Sequence, residues 1–211
     1  MLELVMVIVV LGILAALAIP RIERDLRQEA ADNILSAIRY TQHLALTDDK
    51  HEFDNAQWQR KFWAIHFTSS TADTYGNFYE VCSDNDKTGT ITKTECATDP
   101  ANGKYMYNTT GVTSGIDPDE SPNIFIGKKY GVDTIALEGG CANNNGANYI
   151  GFDHLGRPHV SFLGSTKPDY ASYMGSDCKI TFSSSNNAFS SFKIIIEKET
   201  GYAYIDEQSG S

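Results

Sequence analysis

The sequence predicts an α+β protein: one long N-terminal helix packed on an antiparallel β-sheet head. Three observations carry this. Every side chain from Leu4 to Ile19 is apolar or Gly. Ile22, Leu26, Ala30, Ile34 and Ile38 then recur every four residues, flanked by Ala31, Leu35, Gln42 and Ala45, which is the spacing of a helix with one apolar stripe. Beyond residue 46, short apolar runs alternate with Gly, Asn, Asp and Ser, the pattern of strands and turns.

The two helical patterns read as one helix over residues 1–46, about 68 Å long. Its first half is apolar all round and its second half amphipathic. Gly12 lowers helix propensity in the first half, and Pro20 removes a backbone donor and predicts a kink. The apolar run, with Met1 to Glu3, spans about 28 Å, slightly less than a bilayer core, so the first half is expected to cross a membrane. A cleavable signal peptide does not fit: no basic segment precedes the run, and the helical pattern continues beyond it.

The stretch LELVMVIVVLGILAALAIPRI resembles the N-terminal signature of type IV pilins and of type II secretion pseudopilins. Met1, Leu2 and Glu3 fall on that signature's Leu-Ile-Glu, and Gly12 and Pro20 on its Gly and Pro. The resemblance implies a pilin-like fold and a leader plus two mature residues ahead of Met1. It gives Glu3, Gly12 and Pro20 roles in assembly, with Glu3 pairing with a neighbouring subunit's N-terminal amine. It divides the chain into a transmembrane or filament-core segment, 1–27, and a periplasmic head, 28–211. It places the protein in the bacterial inner membrane, single-pass, and in a filament after assembly. Its implied partners are other pilin or pseudopilin subunits, an inner-membrane assembly platform and a prepilin peptidase. Arg21, Arg24 and Arg27 would by themselves anchor that side in the cytoplasm; the resemblance and the cysteines favour a head outside the inner membrane.

After the helix, TDDKHEFDN reads as a loop. Strands are expected at 60–67, 77–82, 104–108, 123–127, 133–137, 149–153, 157–163, 179–183, 191–197 and 202–205. The first has large apolar groups on both faces, as a central strand would. The runs flanking HLG read as a hairpin, and FDHLGRP and EKETGYAYI resemble hairpins near the end of minor pseudopilins. With one helix accounted for, the remainder suits a single head.

The formal net charge of −10 argues against nucleic acid as a partner. Four cysteines, Cys82, Cys96, Cys141 and Cys178, suit disulfides in an oxidising compartment, and no CxxC marks a zinc or redox site. Three pairings are formally open; sequence separation favours Cys82–Cys96 and Cys141–Cys178.

Between the first two cysteines lies CSDNDKTGTITKTEC. Asp84, Asp86, Thr88, Thr90, Thr92 and Glu95 fall at positions 1, 3, 5, 7, 9 and 12 of a calcium loop, with Gly89 at 6. Carboxylates at 1 and 3, the Thr88 hydroxyl, the Thr90 carbonyl and a bidentate Glu95 would wrap one Ca2+. The alternative is a disulfide-closed polar hairpin without an ion, since Thr is a weak ligand at position 5 and no long helices flank the loop. Asp117, Asp119 and Glu120 are a second acidic group.

Nothing in the sequence points to an enzyme. His66 lies in a strand, His154 and His159 are close in sequence with no Cys or acid cluster nearby beyond Asp153, and neither a nucleophile elbow nor a phosphate loop is present. The expected function is therefore a structural subunit of a periplasmic or surface filament, most simply a minor pseudopilin or pilin-like protein. The alternative is a filament-borne binding module (tip adhesin, secreted-substrate or DNA binding) acting through the loops around 109–123 and 139–148.

Overall fold

A computed structural model describes residues 2–69, 75–108, 116–142, 148–186 and 188–206; in the first helix the described side chains are those of 5–14 and from 26 onward. Helix α1 runs Leu2–Thr47, position 20 included. Its second half is the spine of the fold. Ala30, Ala31, Ile34, Leu35, Ala37 and Ile38 are buried in the main core. Their spacing keeps one face on the head while polar residues face water.

The head is two four-stranded antiparallel sheets. The first comprises β1 (Trp63–Ser69), β2 (Asn77–Cys82), β4 (Tyr149–Phe152) and β5 (Pro158–His159), in the order β2-β1-β4-β5. The second comprises β3 (Thr134–Gly139), β6 (Cys178–Ser183), β7 (Phe192–Ile196) and β8 (Ala203–Asp206), in the order β3-β6-β7-β8. A short helix α2 (Ile126–Tyr130) precedes β3.

Strand β1 is central: Ile65 is opposite Val81 on one side and Ile150 on the other. Its two apolar faces serve two clusters. Ile65 and Phe67 enter the main core, whereas Ala64 joins Phe62 and Phe162 in a smaller one. Gly151, opposite Ala64, leaves room for that second cluster, because a Cβ there would lie 2.5 Å from the Phe162 ring.

The spine is also tied to the head by polar contacts. Gln42 donates from Nε2 to the carbonyls of Gly156 and Thr200, each at 2.9 Å. This brings the 153–157 and 197–202 turns against each other. Gly201 has φ +68°, and a Cβ there would fall 2.1 Å from the Gly156 carbonyl oxygen, so only glycine fits.

Several expectations are corrected. The single sheet on a spine helix is two sheets, because alternation shows which face of a strand is buried but not which strand lies beside it. Residues 123–127 are not a strand: Pro122–Ile124 forms a 3-10 turn that leads into α2. Ile124, Phe125 and Ile126 are all buried, which a strand exposing alternate residues to water would not do. Residues 104–108 contribute only isolated bridges from Tyr105 to Thr98 and Glu120. The expected 157–163 strand contracts to β5.

The membrane-spanning first half is corrected too. Among the described residues, no helix is long and apolar enough to cross a membrane. The transmembrane segment and the single-pass inner-membrane location with a periplasmic head fall with it.

Candidate functional site

The acidic loop follows β2 directly. Its base is closed twice: Cys82 and Cys96 form a disulfide, and the Ser83 N–H donates to the Glu95 carbonyl at 3.0 Å. Within it, Lys87 and Gly89 take positive φ, 62° and 79°, which curls the chain back on itself. Arg60 fixes the loop from outside by donating to the Lys87 carbonyl at 2.9 Å, and Lys50 donates to Asn85 Oδ1 at 3.1 Å.

This fold gathers Asp84, Asp86 and Glu95, with one carboxylate oxygen from each lying within 4.8 Å of the others. Asp84 Oδ2 accepts from the Gly89 N–H at 2.9 Å, whereas its Oδ1 is buried and without a hydrogen-bond partner. Burial pushes the Asp84 carboxyl above the usual carboxylate range, and the neighbouring Asp86 and Glu95 carboxylates push it the same way, against the Gly89 hydrogen bond. Asp86 Oδ1 accepts from the Thr88 N–H at 3.0 Å. Hydrogen bonds from the Thr88 side chain and backbone hold the Asp86 carboxyl below its ordinary value. Glu95 Oε1 accepts from the Asp86 N–H at 3.2 Å. Its Oε2 accepts from both the N–H and the hydroxyl of Thr92, each at 2.9 Å. The Thr88 hydroxyl lies 3.3 Å from the Thr90 carbonyl oxygen.

The second acidic group has a different arrangement. Lys93 bridges Asp117 and Asp119 at 2.9 Å each and lies 3.5 Å from Glu120. Hydrogen bonds to Asp117 and Asp119 raise the Lys93 ammonium well above its usual range. That group already holds its counter-cation.

The other disulfide joins Cys141 to Cys178, beside the Gly139–Cys178 register of β3 and β6. These are the two pairings that sequence separation favours. Of the residues tied to assembly, Glu3 and Pro20 have side chains outside the described residues. Gly12 is exposed, with nothing within 4 Å of where a Cβ would be. Around it, Val5, Met6, Val7, Ile8, Val9, Val10, Leu11, Ile13 and Leu14 are 54–67% exposed. The loops suggested for a binding module include 109–115 and 143–147, which lie outside the described residues.

The sequence places Asp153 near His154 and His159, but does not show the polar cluster that Asp153 and His159 build with Arg157 and Ser172. Asp153 is only 2% exposed. It accepts from the N–H groups of Leu155 at 3.0 Å and Arg157 at 2.9 Å, and from Arg157 Nε at 2.8 Å. His159 Nε2 lies 3.4 Å from Asp153 Oδ2, and His159 Nδ1 lies 2.8 Å from Ser172 Oγ. The Ser172 hydroxyl donates to the Asp169 carbonyl at 2.7 Å, so this Asp-His-Ser series cross-links three segments. Burial alone would raise the Asp153 carboxyl; hydrogen bonds from His159 and Arg157 outweigh it and hold it far below the usual range. The one available signal was Asp153 and Arg157 four apart across a tight turn.

No protein-family model, curated protein or solved structure matches this chain. The membership expected from the N-terminal signature is thereby overturned, and with it the assignments to type IV pili, type II secretion, the periplasm and the inner membrane. An apolar run of about twenty residues with one acid reflects a helix that must be covered all round, a demand shared by unrelated proteins.

Proposed function

We propose that the chain is a structural subunit of a filament, in which the apolar parts of α1 from many copies pack side by side and the heads are displayed around them. The observation that carries this is the exposure of Val5 through Leu14 on every side of the helix. A helix apolar all round needs cover all round, and one flat partner surface covers only one side. A bundle of identical helices covers the whole circumference. Gly12 leaves an open notch at which two such helices can approach closely. Burying several side chains of this size on each copy contributes about 1.5–3 kcal/mol apiece before association costs. The head's acidic surface disfavours direct head-to-head aggregation, so assembly proceeds through the helix. This division follows the boundary between 1–27 and 28–211.

The test uses the full chain, purified with its disulfides intact. Sedimentation and electron microscopy are expected to show filaments of uniform width. Val9→Asp with Ile13→Asp should return the protein to monomers while the head's thermal midpoint stays unchanged. A wild-type chain that stays monomeric at tens of micromolar, or forms only amorphous aggregate, overturns the reading, as does a doubly charged variant that still forms filaments.

A further inference from the structure

The geometry points to a calcium site in the disulfide-closed loop after β2, with Asp84, Asp86 and Glu95 as its carboxylate ligands. Three acids close together do not make a site; what selects this one is Asp84. Its side chain is buried, at 1% exposure, and Oδ1 has no hydrogen-bond partner. A buried carboxylate oxygen left without a donor is costly. Its nearest companions in the loop are two further carboxylates, which repel it. Among the described residues, no Lys, Arg or His forms a salt bridge with any of the three. Lys87, the nearest in sequence, has its ammonium 3.7 Å from Glu52, and Lys93 is engaged by Asp117 and Asp119. Lys87 acts on the charge of Asp86, but Asp84 Oδ1 has no paired protein cation, and an ion from solution would supply one.

The donor set identifies the kind of cation. All candidate ligands are oxygens, and both nearby cysteines are locked in a disulfide, so a soft thiolate-seeking metal is disfavoured. The three oxygens lie within 4.8 Å of one another. Three carboxylates with neutral loop oxygens suit Ca2+, which takes six to eight oxygens in flexible geometry, better than Mg2+, which keeps several waters and is usually held by one or two carboxylates. Glu95 Oε2 already accepts two hydrogen bonds from Thr92 and Oε1 only one, from the Asp86 N–H, so Oε1 keeps a free lone pair and Glu95 would bind through one oxygen rather than two. The Thr88 hydroxyl and Thr90 carbonyl are on the same loop, at positions 5 and 7, and add neutral oxygens. Bound calcium would tie the end of β2 to the 3-10 turn Lys93–Glu95 and brace the loop beside its disulfide.

Calorimetric titration of the full, oxidised chain with CaCl2 tests this, with MgCl2 as the comparison. The expected result is one site per chain with a Kd of about 10⁻⁴–10⁻³ M. At ten times that Kd the thermal midpoint should rise by about 3–6 °C. Asp84→Asn should weaken calcium binding at least tenfold, and Asp117→Asn should leave it unchanged. If Asp84→Asn does not fold, Asp86→Asn, on an exposed side chain, gives the same reading. No binding heat and no midpoint shift at millimolar calcium overturn the site. So does unchanged calcium affinity in the carboxylate variants that fold, or tighter binding of magnesium than of calcium.

Discussion

Asp84 and Asp153 are the same residue type, buried to nearly the same degree, at 1% and 2% exposure. Their environments push them in opposite directions. Asp153 has His159, Arg157 and two backbone N–H groups turned toward it, and its carboxyl is held far below the usual range. Asp84 has one backbone donor and two carboxylate neighbours, and its carboxyl is pushed up. Burial penalises both charges alike; the number and sign of the partners decide the outcome. One site is a finished cross-link made entirely of protein groups. The other is complete only with a partner from solution.

The sharpest way to break this comparison is to remove the finished cross-link. Asp153→Ala leaves the Leu155 and Arg157 N–H groups and His159 Nε2 without their acceptor. The Arg157 guanidinium is partly exposed and can turn to water, so the full cost of breaking a buried ion pair does not apply. Orphaned buried donors cost about 1–3 kcal/mol each and are partly relieved by relaxation, giving an expected loss of about 2–4 kcal/mol. Chemical denaturation measures it. A loss below about 1 kcal/mol would show that Asp153 is no more essential to the fold than a surface carboxylate.

The acid limb of stability sharpens the same point. Because the folded-state value of Asp153 is depressed, the folded protein releases this proton more readily than the unfolded chain does. Its contribution is fully present above the unfolded carboxylate value, about 3.9, and is lost as pH falls through the folded one. Asp153→Asn should therefore flatten the fall in thermal midpoint below about pH 4. An acid limb as steep as the wild type's would assign that loss to other carboxylates.

These two sites also differ in how far the sequence displays them. The ligands of the Asp84 loop lie within twelve consecutive residues, so their spacing alone suggests a cation. The unpartnered oxygen that distinguishes the site from a polar hairpin is a matter of packing and is invisible in sequence. The Asp153 cluster draws on Ser172 and the Asp169 carbonyl, from a separate segment joined to β5 by the His159–Tyr173 β-bridge and the His159–Ser172 contact. No period or motif encodes that meeting. The same limit applies to the sheets. Local pattern located β2, β3, β4, β6, β7 and β8 closely and β1 with its start three residues early, where Arg60 and Lys61 end a 3-10 turn, and the apolar stripe located the buried face of α1. That β4 returns to β1 while β3 pairs with β6 is a choice among partners of equal local pattern. The N-terminal run shows the opposite error: about twenty residues of strong local signal suggested a family for the whole chain, and that family was not supported.

The smallest expected effect comes from the unfinished site in the absence of divalent cations. With a chelator present at neutral pH, Asp84→Asn removes one of three mutually repelling charges and keeps the side chain's shape. Its amide oxygen can still accept from the Gly89 N–H. Its amide nitrogen adds a donor where the aspartate had an unpartnered acceptor. Relief of repulsion and of the orphaned oxygen should offset any loss of charge-assisted hydrogen bonding, so the change is expected to be neutral or slightly stabilising, within about 0.5 kcal/mol of zero or above it. Asp153→Asn, measured beside it, should destabilise under the same conditions, because it exchanges a carboxylate that accepts from four groups for an amide with one accepting oxygen. Adding calcium should then reverse the order at position 84, stabilising the wild type and leaving Asp84→Asn where it was. If Asp84→Asn in chelator costs as much as Asp153→Asn, the carboxylate at position 84 is already satisfied by the protein, and the contrast between the two aspartates does not hold.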